Sequence, residues 1–81
     1  MSDHRCNRHV FDNGKVVAAI SSDMHQIDIE ILVQVVARNT NQLVDWYYAG
    51  GRAIVLAVGD LDLVRSAFSA QNDDRISIRG I

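Results

Sequence analysis

His4, Cys6 and His9, with Asp3 and Asp12 nearby, are the residues whose types best suit metal binding. Imidazole nitrogen and thiolate sulfur are preferred zinc ligands, and a structural site needs four ligands converging. In an extended segment His4 and Cys6 share one face while His9 points to the other. No second Cys/His cluster follows, and His25 stands alone. The segment is therefore expected to be a polar N-terminus, flexible over residues 1–7, with no metal and no other cofactor.

Gly59-Asp60 is a second place where chemistry could sit. It follows the apolar run 52–58, at the carboxyl end of an expected strand, which is where open α/β sheets bind ligands. A helix N-terminus there would favour an anion. Asp60 and Asp62 nevertheless place two negative charges at that spot, and neither a Gly-rich phosphate loop nor a Gly-Lys-Ser/Thr triplet is present. Asp60 thus reads first as a helix cap, with Gly59 and Asp60 kept as a candidate ligand edge. No Ser-His-Asp set with motif support and no His-Glu-x-x-His occurs. No catalytic residue is assigned, and the chain reads as a non-enzyme.

Trp46-Tyr47-Tyr48 precedes Gly50-Gly51. Three consecutive aromatics cannot all enter one core from one helix, so part of the cluster is expected at a surface. Trp and Tyr are favoured interface anchors. They also stack on single-stranded nucleic acid where basic residues surround them. Here Arg52, Arg75 and Arg79 are the nearest candidates, and core packing or a protein interface is the better match.

The elements that must position these residues are clearest in the second half. Residues 52–58 form a near-continuous apolar run, as a central and typically parallel strand does. Leu61, Val64 and Phe68 then recur at helical spacing behind Asp60. Gln71–Asp74 is a turn cluster, and 75–79 alternates like a half-buried strand, completing a β-α-β unit. In the first half, Asn13-Gly14 between apolar residues is a hairpin signal of type I′. Ser22-Asp23, with Gln26 beyond, predicts a capped helix start.

Residues 27–48 carry two patterns. As a helix, Glu30, Gln34, Arg38, Asn41 and Asp45 make one polar stripe opposite Ile29, Leu32, Val33, Val36, Leu43, Val44 and Tyr47. As a strand, Ile27, Ile29, Ile31, Val33, Val35 and Ala37 all point one way, and six of the eleven residues 27–37 are β-branched. The helix accounts for more residues and is preferred. At about 33 Å it exceeds a domain of about 30 Å, so it must protrude or break near Asn39-Thr40-Asn41. With the strand instead, 15–25 becomes the first helix, and the order is ferredoxin-like, βαββαβ. Both give an α/β (α+β) two-layer sandwich of about four strands and two helices.

The chain has 81 residues, 48% of them hydrophobic, enough for a single domain over 1–81. Its net charge of −2 argues against duplex DNA, which selects a basic surplus. One cysteine permits no internal disulfide, consistent with the cytoplasm. No apolar run approaches the roughly 18 residues of a membrane span.

Gly51, Gly59-Asp60, Val64, Ala67 and Ala70 look like the strand–Gly-Asp–helix segment of bacterial microcompartment shell domains. The likeness covers about 20 residues, and residues 38–50 are longer than that family's corresponding turn. The family is ferredoxin-like in its elements and tiles into hexamers, so the resemblance implies a structural subunit. The residues themselves point to a small non-enzymatic interaction or regulatory module that self-associates. Ile27, Ile31 and Val35 lie off the main apolar face of 27–48 and, with Trp46, Tyr47 and Tyr48, form the expected interface of a homodimer or larger assembly. Another protein is the second candidate partner. A small-ligand-binding domain, or a small enzyme with its site across a dimer interface, is the alternative.

Overall fold

The computed structural model describes residues 12–78. The order is β1 (Lys15–Ile20), α1 (Gln26–Thr40), β2 (Leu43–Ala49), β3 (Arg52–Val58), α2 (Leu61–Ser69) and β4 (Ile76–Ile78). The strands form one sheet in the order β2-β3-β1-β4, and every adjacent pair is antiparallel. The helices pack on each other and on the sheet, giving a two-layer α+β sandwich with βαββαβ, ferredoxin-like topology.

That topology is reached by assignments different from those the alternation of 27–37 implied. Residues 15–20 are a strand, not a helix, and 27–37 are helical despite their β-branched content. Tertiary burial decides this: a helix turns Ile29, Leu32, Val33 and Val36 together into the core. The helix does not run on to residue 48. Thr40 is buried with its Oγ1 donating to Val36 O at 2.7 Å, and Asn41, at φ 54° and ψ 34°, turns the chain out of the helix. It also starts later than Ser22-Asp23 implied. His25 occupies the N-cap without a capping side chain, while Ser21 Oγ accepts from the Asp23 backbone N–H instead.

β3 is central, as expected, but it is antiparallel to both neighbours. β1 lies between β3 and β4, so the carboxyl-terminal β-α-β unit is split. Ala53, Val55 and Ala57 face the helices, and Ile54, Leu56 and Val58 are half-buried on the other face. A bulge at Val17 interrupts the register between Val16↔Leu56 and Ala18↔Val55.

The hairpin in the described chain lies elsewhere than at Asn13-Gly14. Ala49 pairs with Arg52 around Gly50 and Gly51, whose φ values are +60° and +76°. Two positive φ angles in a two-residue loop are the type I′ requirement. Neither Asn13 nor Gly14 has a positive φ, so they do not form such a turn.

Val64 and Phe68 of α2 close the core with Ile20, Ile29, Val36 and Trp46. Among the described residues, no helix is long and apolar enough to cross a membrane.

Candidate functional site

Each α1 residue is rotated about 100° from the one before it. Ile29, Leu32, Val33 and Val36 use one side of the helix for the core. Ile27, Ile31 and Val35, four residues apart, drift slowly along the opposite side. They are 72%, 54% and 38% exposed, which is where a surface helix normally carries polar groups. Arg38 continues the same row by helical geometry, and Asp28 flanks it from the first turn.

Beside this stripe runs an open groove of about 420 Å³ between α1 and the segment after α2. Asp28, Ile31, Leu32 and Val35 form its α1 wall, and Met24, Gln71 and Arg75 complete it, so that Asp28 faces Arg75 across the groove of its own chain. Arg75 is paired with Asp73. Its Nε and Nη2 donate to Asp73 Oδ1 and Oδ2 at 2.9 and 2.7 Å, and its carbonyl accepts from Ser21 N at 2.8 Å. The Arg75 guanidinium holds the Asp73 carboxyl at about 2, below its ordinary 3.8, and Asp73 raises Arg75 in return. Arg75 also borders a polar notch with Asp23, Arg52 and Asp74, where two carboxylates balance two guanidinium groups.

The aromatic cluster is divided. In a strand, alternate side chains point to opposite faces. Trp46 enters the core and is fully buried, so it is not available as an interface anchor. Its indole N–H donates to Glu30 Oε2 at 2.9 Å. Tyr48 follows it on the same face and meets the indole edge-on, with centroids 5.0 Å apart, yet it stays exposed near the strand end. Tyr47 points to the sheet's other face, opposite Ile54. Leu43, Leu56 and Val58 share that face, and among the described residues no element packs on it.

At Gly59-Asp60 the polar groups are engaged within the chain. Asp60 Oδ1 accepts from Leu63 N at 3.1 Å, as the cap expectation required, and Asp60 N donates to Gln42 Oε1 at 3.0 Å. The carboxyl-edge rule concerns open, largely parallel sheets, and this sheet is antiparallel. Among the described residues, no three His, Cys, Asp or Glu side chains gather as metal ligands. His4, Cys6, His9 and Arg79 lie outside the described residues.

No protein-family model matches the chain, and neither a curated protein nor a solved structure does. The local likeness to microcompartment shell domains therefore has no counterpart in a family match.

The sequence pointed to the α1 stripe by periodicity alone. It gave no sign of the groove, because Gln71 and Arg75 reach α1 only through the packing of α2 and the turn behind it. Gln42, which ties the start of β2 to the start of α2, likewise carried no local signal.

Proposed function

We propose that this chain is a small, non-enzymatic interaction module that acts by associating with itself through the outer face of α1. The observation carrying this reading is the exposed row Ile27, Ile31 and Val35 beside a groove of mixed apolar and charged lining. Burying an aliphatic side chain of this size is worth about 1.5–3 kcal/mol, so a surface holding three in a row gains by meeting another. Closed two-fold pairs are the commonest soluble assembly, and a homodimer is the simplest product. A small-ligand site would instead call for a cavity enclosing most of its ligand. The single cysteine supports a reducing compartment, and we assign the module to the cytoplasm.

Sedimentation equilibrium at about 100 μM tests the reading, since contact areas at the small end of stable interfaces give weak, micromolar association. The parent is expected to be dimeric or larger, and Ile31→Asp monomeric with an unchanged circular dichroism spectrum. A monomeric parent, or an undisturbed assembly in the variant, would sink it.

A further inference from the structure

The α1 stripe has a symmetry that restricts how two copies can meet on it. Ile27, Ile31 and Val35 are evenly spaced, with Ile31 in the middle. A two-fold axis through Ile31, perpendicular to the helix, maps the row onto itself in reverse. We infer that two copies pair α1 antiparallel about Ile31, each setting its Ile27 beside Val35 of the other. This rests on the self-association proposed above and specifies its geometry.

Charge selects this arrangement over the parallel one. Asp28 lies in the first turn of α1 and Arg38 in the last. Parallel pairing would put Asp28 against Asp28 and Arg38 against Arg38, with like helix-dipole ends together. In the antiparallel register, Arg38 of one copy falls just beyond the first turn of the other's α1, about one turn from its Asp28. A guanidinium spans that gap, and the positive first turn of each helix meets the negative last turn of its mate. An isologous contact also requires every pairing to occur twice, which the acidic-to-basic run of α1 satisfies.

Shape agrees with charge. Ile27 stands clear of the groove and is the most exposed of the three, whereas Ile31 and Val35 form part of the groove wall. Antiparallel pairing delivers the projecting Ile27 of each copy to the Val35 end of the other. Parallel pairing would set the two projecting Ile27 side chains against each other and leave the groove walls facing across a gap.

Cysteine crosslinking in a Cys6→Ser background reads the register directly, because a disulfide closes only when Cα atoms approach within about 7 Å. Under mild oxidation Ile31→Cys is expected to crosslink to itself. Ile27→Cys and Val35→Cys should each crosslink poorly alone, but an equimolar mixture should form the mixed disulfide at least about tenfold faster than either homodimer. Self-crosslinking of Ile27→Cys and Val35→Cys at the rate of Ile31→Cys would establish parallel pairing and overturn the inference. Efficient crosslinking by Leu43→Cys, with none at the three helix positions, would move the contact to the sheet face away from the helices and also overturn it. A charge exchange gives a second readout. Arg38→Glu should weaken the assembly, and Asp28→Arg combined with it should restore it; no recovery in the double variant counts against the register. Sedimentation of the Cys6→Ser parent separates the two failures. A monomer removes self-association and the register together, whereas an assembled parent with other crosslinks removes the register alone.

Discussion

The indole N–H of Trp46 donates to Glu30 Oε2 at 2.9 Å, tying the largest fully buried side chain of the core to the polar stripe of α1. The bond joins β2 to the helix that precedes it and satisfies a donor that has left water. Glu30 Oε1 meanwhile accepts from Gln34 Nε2 at 3.3 Å, one turn along. Glu30→Ala should destabilise the protein by about 1–3 kcal/mol, the cost of leaving a buried polar group unmatched. Glu30→Gln keeps an acceptor and should lose less. Urea unfolding followed by Trp46 fluorescence measures both, and equal losses would show that the acceptor is not what matters.

The turn at Gly50-Gly51 makes a purely conformational prediction. A side chain at either glycine would meet nothing within 4 Å, so any penalty comes from the positive φ alone. Gly50→Val should cost more than about 1 kcal/mol, and Gly50→Asn far less, because Asn tolerates the left-handed region. Gly14→Ala, at a position without positive φ, should be nearly neutral. Thermal unfolding of the three variants decides; a large loss at Gly14 with none at Gly50 would invert the assignment.

Gln42 and Asp60 together fasten the start of α2. Asp60→Ala removes the cap on Leu63 N and should cost about 0.5–2 kcal/mol. Gly59→Ala should cost at least as much, since Gly59 sits at φ +105° and a Cβ there collides with Gln42 Oε1. If Gln42→Ala relieved the Gly59→Ala penalty completely, the collision alone would be responsible and the backbone strain negligible.

Arg65 pairs with Asp62 through Nη1 at 3.0 Å, while its Nε and Nη2 are buried with no hydrogen-bond partner among the described residues. Buried donors without acceptors cost stability. Arg65→Met keeps much of the apolar stem and should leave stability unchanged or raise it. A drop of more than about 1 kcal/mol in denaturant unfolding would mean that the guanidinium edge is matched in solution.

Acid should release the Asp73–Arg75 pair in a defined window. The folded carboxyl titrates at about 2, below its ordinary 3.8, chiefly because Arg75 donates to it from its side chain and then its backbone. A depressed folded value stabilises the native state fully above the unfolded value, and that contribution disappears as pH falls from 3.8 towards 2. Carboxyl-carbon NMR should place the Asp73 midpoint near 2 in the parent and higher in Arg75→Gln, where the backbone N–H of residue 75 still donates to the carboxylate. A parent midpoint already at the ordinary value would show that the ion pair does not persist in water.

Much of the fold was legible because some signals are local. Asp60 as a cap, the 3.6-residue rhythm of Leu61, Val64 and Phe68, and the turn at Gln71–Asp74 each depend on residues within a turn of one another. The surplus apolar row of α1 was legible for the same reason. Ile27, Ile31 and Val35 fall off the core face by periodicity, whatever packs around them. Gly50-Gly51, not Asn13-Gly14, forms the type I′ turn, although both pairs are compatible with one in sequence. Among the described residues, the strands on either side of Gly50-Gly51 pair with each other, and the residues before Asp12 lie outside those described.

Other features required the assembled chain. By itself the sequence determined which residues are apolar and at what spacing, hence a two-layer α+β domain and an α1 row without an internal partner. Tertiary structure decided that 27–37 coil rather than extend, because only as a helix do Ile29, Leu32, Val33 and Val36 close over the sheet together. It ended that helix at Asn41, and so gave Trp46 to the core and Tyr47 to the opposite face of β2. It also brought Arg75 and Gln71 beside α1 to form the groove. Periodicity is a property of neighbours along the chain, whereas burial and grooves belong to residues that only folding brings together.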